Sequence, residues 1–274
     1  MVRHGEDTAK NENDMVVIVL FPLLLWLFGI IFIYLGWSVT NYLGDETPYS
    51  LGLCVLGAGI FILGSLNINS FIFIYLGILW LTGFIDDYFG TKFPKGLKGH
   101  LQLFIQTGKV STGLIKLGST VSVAAIFSFL FYNGLIIERL AAFILLVLGP
   151  HVMNLFDTRP LRVWKVIGVQ AIAFLPLLLQ LQVDFLLTLI FIIASLIIFE
   201  GKMLAMLGDN GATLLGGMIN LLVVFYLSAL LQWFVVAIYC LIIWVTERIS
   251  LSEWIEKTPI LKRIDRWGVQ REYR

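Results

Sequence analysis

Three aspartates and a set of glycines carry most of the polar chemistry of this chain. Asp86 and Asp87 stand side by side in GFIDDYFG, and Asp209 sits in LGDNGATLLGG. Adjacent carboxylates repel each other and lose hydration in a low dielectric, so a pair at a helix end calls for a cation. The negative end of the helix dipole sharpens that demand. Taken alone, the pair reads equally well as a solvated helix stop. In the second stretch, Gly208, Gly211, Gly216 and Gly217 surround Asp209 and Asn210. Such glycines let a helix begin close to a ligand with its free N–H groups turned to an anion, which would leave Asp209 to hold a divalent metal.

Two further stretches supply cations. KFPKGLKGHLQ carries Lys92, Lys95, Lys98 and His100 among glycines, a backbone suited to approach phosphate. The plainer reading of these lysines is a basic belt at a membrane surface. HVMNLFDTRPLRVWK places Asn154 and Asp157 three residues apart, on one helix face, followed by Arg159, Arg162 and Lys165. Asn154 and Asp157 suit a base or sugar, and Arg159 and Arg162 suit a phosphate clamp. Here too the alternative is an interfacial belt with a helix stop at Pro160. Oxygen ligands without paired cysteines favour Mg²⁺, with Mn²⁺ the alternative, over zinc. Cations plus Mg²⁺ suit phosphoryl transfer, where catalysis is mostly positioning and charge stabilisation.

The elements that must position these residues are apolar helices. The chain has 274 residues, 59% of them hydrophobic and 14% charged, with a mean hydropathy of +0.91. Such a composition excludes an ordinary soluble domain. Apolar runs of about 18–22 residues, each long enough to cross a bilayer, predict an all-α polytopic integral membrane bundle of about nine transmembrane helices. They fall near 15–37, 49–66, 69–86, 111–132, 136–150, 164–181, 184–200, 212–231 and 232–247. The first is expected to be retained, since no small-residue cleavage site follows it. Cys54 and Cys240 lie alone in apolar runs and read as buried small hydrophobes. The net charge of +1 gives no signal for nucleic acid.

With nine spans, the loops carrying all four polar stretches share one side. The opposite side keeps only Arg3, Lys10 and Arg139 of the 19 lysines and arginines. The positive-inside bias therefore predicts the N-terminus out, the C-terminus in and the active face cytoplasmic, in a multi-pass protein of the cell membrane. Residues 1–14 read as a polar extracytoplasmic tail, 15–247 as the transmembrane catalytic domain and 248–274 as a basic amphipathic cytoplasmic tail. In that tail Trp254, Ile255, Ile260, Leu261, Ile264 and Trp267 would insert into the anionic leaflet; a solvated tail is the alternative.

These motifs resemble the polyprenyl-phosphate N-acetylhexosamine-1-phosphate transferases, which include the muramoyl-pentapeptide and GlcNAc-1-phosphate translocases. The aspartate pair matches Asp86 and Asp87, and the lysine-glycine-leucine matches Lys95, Gly96 and Leu97. The N-L-x-D helix end matches Asn154 and Asp157, and the M-G-D-T/S-G-S…L-G-G block matches LGDNGATLLGG. Thr47, Pro48 and Gly52 resemble a reduced threonine-proline-glycine segment. The resemblance covers most of the chain after about Thr47. It implies Mg²⁺-dependent transfer of a sugar-1-phosphate from a UDP-sugar to a polyprenyl phosphate such as undecaprenyl phosphate, releasing UMP, with Asp86, Asp87 and Asp209 catalytic and Asp209 and Asp87 on the metal. Lys95, Lys98, Arg159 and Arg162 would bind phosphate, and a homodimer is compatible with this reading.

The chain also departs from the family. TRPLRVWK replaces the usual G-x-D/N-G-L after N-L-x-D, Gln102 stands where a second lysine is expected, and the late histidine-rich loop and tenth helix have no counterpart. A divergent donor is expected. A catalytically degenerate relative that binds lipid-linked sugar or scaffolds envelope-synthesis partners is the alternative. A lipid or ion carrier fits less well, because the charges lie at helix ends and in loops rather than at the bilayer midplane.

Overall fold

The computed structural model describes residues 20–41, 44–64, 70–91 and 96–269, the first three positions of the last stretch as backbone only. The 1–14 tail, the start of the first apolar run, the 67–69 join, Lys92 and Lys95 lie outside the described residues. Helix α1 (Leu20–Tyr34) leads into a short antiparallel ribbon, β1 (Ser38–Thr40) with β2 (Glu46–Pro48), in which Val39 pairs with Thr47. Then come α2 (Leu51–Gly64), α3 (Phe71–Phe89), α4 (Gly96–Thr107), α5 (Thr112–Ile126, continued by a π turn to Phe131) and α6 (Ile136–Phe156). The chain continues through α7 (Arg162–Ala171), a 3₁₀ turn, α8 (Leu175–Leu178), α9 (Val183–Gly201), α10 (Gly208–Tyr226) and α11 (Ala229–Thr246). It closes with α12 (Leu251–Lys257) and α13 (Pro259–Asp265).

The chain is thus a mainly helical bundle of apolar helices, as its composition dictates. Among the described residues six helices are long and apolar enough to cross a membrane: α3, α5 with its π turn, α6, α9, α10 and α11. The apolar helices α1 and α2 are shorter. Large apolar side chains such as Trp26, Ile74, Leu130, Ile190 and Leu241 cover the outside, where hydrocarbon rather than water is their natural solvent.

Helix α10 is the axis. Of its apolar window 78% is buried, against 17% for α11. Small residues make this possible, since bilayer helices associate by close backbone approach. A Cβ on Gly216 would lie 2.5 Å from the Gly149 carbonyl oxygen of α6, and one on Gly217 would lie 2.4 Å from Leu79 Cδ1 of α3. Part of the glycine pattern in LGDNGATLLGG is therefore packing chemistry.

Several boundaries differ from expectation. Helix α3 runs past both aspartates to Phe89, because no breaker precedes Gly90. Helix α6 continues through Pro150 to Phe156, which puts Asn154 inside it and Asp157 at its C-cap. The 164–181 segment is broken into α7, a 3₁₀ turn and α8. Helix α10 begins at Gly208 rather than near 212, and it meets α11 at Leu227–Ser228 rather than at 231–232. Cys54 is buried, but Cys240 is exposed on the apolar outside of α11.

Candidate functional site

The polar residues converge where α3 ends and α10 begins. Asp87, in the last turn of α3, caps the N-terminus of α10. Its Oδ1 accepts from Asp209 N at 2.8 Å, and its Oδ2 accepts from Asn210 N at 2.9 Å and Asn210 Nδ2 at 2.6 Å. An anion at a helix N-terminus is expected from the free N–H groups and the dipole. Here that anion belongs to the chain itself. Gly208 makes the approach possible: its φ of +64° favours glycine, and a Cβ there would lie 2.8 Å from Asp87 Oδ2.

Asn210 has a structural role that sequence left unassigned. It is fully buried, and its amide also donates to Tyr49 O at 3.2 Å. Its Oδ1 faces Gly52, where a Cβ would overlap it, and its backbone faces Gly83, where a Cβ would lie 2.5 Å from Asn210 Cα. Gly52 on α2 and Gly83 on α3 therefore admit the start of α10. Pro48, from the Thr47–Gly52 segment, accepts from Met206 N at 2.9 Å and ties the ribbon to the same loop.

The other two aspartates meet over a cation that sequence reasoning counted only toward the charge bias. Lys116, one turn into α5, places Nζ 2.6 Å from Asp209 Oδ2 and 3.4 Å from Asp86 Oδ2. Its signal was a lone lysine in the otherwise apolar TGLIKLGSTVSVAAI. Ser111 caps α5 by accepting from Leu114 N, and its hydroxyl also meets His100 Nδ1 at 2.8 Å. His100 is thus tied to the same helix start. Of the Lys116–acid group Asp209 is the most open, with 32% of its side chain exposed against 18% for Asp86.

The donor set is two carboxylates about one lysine ammonium. Among the described residues no three His, Cys, Asp or Glu side chains gather as a metal set. Two hard carboxylates, Asp86 and Asp209, do face one cationic position, which the Lys116 ammonium takes. An ion with few protein ligands and the rest from water and phosphate is the Mg²⁺ habit. Asp87 is the weaker ligand candidate, because both its oxygens already accept from α10.

Asp157 lies near the group. Its carboxyl is pushed well above the usual carboxylate range by burial first and by Glu200 second, with smaller effects from Asp209 and Asp87. Asn154 Oδ1 is enclosed and has no hydrogen-bond partner among the described residues. Glu200, at the end of α9, was not singled out in the sequence. It is 2% exposed and accepts from Trp164 Nε1 of α7. Backbone bonds from Leu161 and Leu207 reach it as well. They steady Leu161, whose φ of +66° is uncommon for a side chain with a Cβ.

The expected phosphate ligands fare differently. Lys95 lies outside the described residues, and only the backbone of Lys98 is described. Arg162 is 3% exposed. Its guanidinium grips Asp265 through Nε–Oδ1 at 2.6 Å and Nη2–Oδ2 at 2.9 Å, while Nη1 donates to Thr158 and Ser252. Arg159 meets Glu256 at 2.5 Å. Both arginines are engaged by α12 and α13 rather than offered to a ligand. The C-terminal stretch thus docks part of its surface on the body of the bundle.

No protein-family model, curated protein or solved structure matches the chain. The family resemblance stands on its motif residues alone.

Proposed function

We propose that this chain is a Mg²⁺-dependent phosphotransferase that moves a sugar-1-phosphate from a UDP-sugar to a polyprenyl phosphate, for cell-envelope glycan synthesis. The observation that carries the reading is the meeting of Asp86, Asp209 and Lys116, from three helices, at one end of the bundle. An oxygen of the lipid phosphate attacks the β-phosphorus of the donor. The bond from that phosphorus to the bridging oxygen breaks, and UMP leaves with the electron pair. Asp209 with Asp86 would hold Mg²⁺, which would supply charge stabilisation to the diphosphate. Lys116 neutralises phosphate charge and orients the acceptor. No base is required, because a phosphate monoester with a second pKa of about 6 is largely dianionic already. Asp87 acts by holding Asp209 in place. Asn154 and Asp157 would contact the uridine, and the motif assigns Lys95 and Lys98 to the phosphates. Arg159 and Arg162 drop out of the phosphate clamp.

We also infer nine crossings. Trp164 at the start of α7 touches Glu200 at the end of α9, and α9 rises about 28 Å at 1.5 Å per residue. The 162–182 segment must cover the same height, so the broken α7–α8 counts as a crossing, and α4 does not. The basic bias then puts the site on the cytoplasmic face of the cell membrane.

A second reading is a non-catalytic binder of lipid-linked sugar. It is favoured by the ammonium of Lys116 standing in the cation position. The deciding experiment is transfer of radiolabelled sugar-phosphate from a panel of UDP-sugars to undecaprenyl phosphate, with Mg²⁺ or EDTA, by the wild type and Asp209→Asn. Metal-dependent product lost in the variant supports the transferase. No product from folded protein, with lipid-linked sugar still bound, supports the second reading.

A further inference from the structure

The C-terminal hairpin α12–α13 has two chemically distinct faces. Its inner face is ionic. Glu256 meets Arg159, Lys262 and Arg266, and Asp265, 7% exposed, is gripped by Arg162, while Lys165 Nζ donates to the Asp265 carbonyl at 2.6 Å. Gly268 lies so close to Gly201 that a Cβ on the latter would stand 2.6 Å from the Gly268 carbonyl oxygen. The hairpin is therefore held at the end of α9 and cannot turn freely.

Its outer face is apolar. Trp254, Ile260, Ile264 and Trp267 are 49%, 73%, 50% and 78% exposed. Ile260, Ile264 and Trp267 follow helical spacing and share one side. Ile255 and Leu261, expected to insert with them, are half-buried instead. With Glu256 and Asp265 neutralised by the body, exposed Glu247 and Glu253 stand against exposed Arg248, Lys257, Arg263 and Arg266, so the surplus is cationic.

The height of this face is fixed by its neighbour. Segment 247–250 is all that separates α12 from the membrane-length helix α11. The Arg248 guanidinium lies 4.2 Å over the Trp244 ring at that junction, a pair suited to the water–lipid boundary. Tethered so closely, a rigid apolar face with surplus positive charge meets headgroups before it meets any soluble partner.

We propose that the outer face of α12–α13 is a binding surface for the anionic headgroup layer of the bilayer that α11 spans. This rests on the membrane reading of the chain and not on the transferase reading. Insertion of the apolar face anchors the hairpin, and through Arg159 and Arg162 it steadies the α6–α7 loop beside Asp157.

The test uses the full chain with Cys54→Ala and Cys240→Ala. Nitroxide is attached singly at Ile264→Cys, Trp267→Cys and the exposed polar control Glu253→Cys, in phosphatidylcholine vesicles with and without phosphatidylglycerol. In the anionic vesicles the labels at 264 and 267 should lie about 5–10 Å below the phosphate level. They should lose access to an aqueous relaxation agent while the control keeps it. Water-exposed labels at 264 and 267 in both vesicles would overturn the proposal. So would shielding that depends on protein concentration, which would assign the face to a second copy. Equal depth with and without phosphatidylglycerol would overturn its anionic part.

Discussion

Asp87 Oδ2 accepts from both the backbone and the side chain of Asn210, at 2.9 and 2.6 Å. One carboxylate oxygen thus fixes the first turn of the most buried helix. Asp87→Ala would leave the backbone N–H groups of Asp209 and Asn210 without their acceptor, while Asn210 Nδ2 would keep Tyr49 O. Each such group costs about 1–3 kcal/mol, so the melting temperature should fall clearly in scanning fluorimetry of the detergent-purified protein. Asp87→Asn keeps one good acceptor and should fall less. Equal, unperturbed melting of both variants would remove Asp87 from its capping role.

Lys116 is the neutraliser of Asp86 and Asp209. Lys116→Met should destabilise the protein in EDTA, because two carboxylates then face each other without a cation. Mg²⁺ should restore it, and by more than it stabilises the wild type, in which the ammonium competes. A site filled to a hundred times its Kd gains about 2.7 kcal/mol. If Mg²⁺ shifts neither protein's melting temperature, Asp86 and Asp209 are a structural ion group and nothing more.

Two glycines of α3 make a matched pair. A Cβ at Gly83 would meet the Asn210 backbone at 2.5 Å, whereas one at Gly77 has open space within 4 Å. Gly83→Ala should cost about 1–3 kcal/mol or more by overpacking against a backbone that cannot yield. Gly77→Ala should be neutral or gain about 0.5–1 kcal/mol from helix entropy. Thermal unfolding of both variants measures the contrast, and a neutral Gly83→Ala would mean that α10 is free to move off α3.

The sequence showed the aspartates, the glycines and their shared side, because spacing and charge bias record them directly. It did not show whose anion meets the α10 N-terminus. A glycine-rich helix start looks the same whether the anion is a diphosphate or Asp87. Lys116 stands in plain view in TGLIKLGSTVSVAAI, but a lone cation near a span end ordinarily serves orientation. Arg159 and Arg162 misled for a related reason. An arginine cluster attracts phosphate or carboxylate alike, and Glu256 and Asp265 lie about a hundred residues away in sequence. The break at 172–174 has no local signature beyond Pro176, so a continuous span was the natural expectation.

The docking of the hairpin should depend on pH. Glu256 is lowered to about 2 from the usual 4.5, by its hydrogen bonds to Lys262 first and Arg159 second. A carboxylate depressed in the folded state contributes stability above its unfolded value and loses it as pH falls through the folded one. The contribution is therefore whole above about pH 4.5 and fades toward about 2. A nitroxide at Thr258→Cys should gain mobility over that window, and Glu256→Gln should show the mobile spectrum at neutral pH. Mobility unchanged in both would show that Glu256 does not hold the hairpin.

Arg162 and Asp265 form the buried part of the same contact, at 3% and 7% exposure. Removing one member leaves an uncompensated buried charge, which costs about 3–5 kcal/mol. Arg162→Met should therefore be strongly destabilising. The pair Arg162→Met with Asp265→Leu should recover most of the loss, since apolar replacement of both partners is often close to neutral. Arg162→Lys should not rescue, because an ammonium cannot reproduce the two parallel bonds to Asp265 or reach Thr158 and Ser252 at once. Melting temperatures of these proteins check this, and Asp265→Leu alone completes the double-mutant cycle. Because α7 begins at Arg162, next to the Leu161 that bonds Glu200, the single variant should also loosen the start of α7. Faster amide exchange confined to 158–166 would report that, and exchange unchanged there would mean that Glu200 alone sets the start of α7.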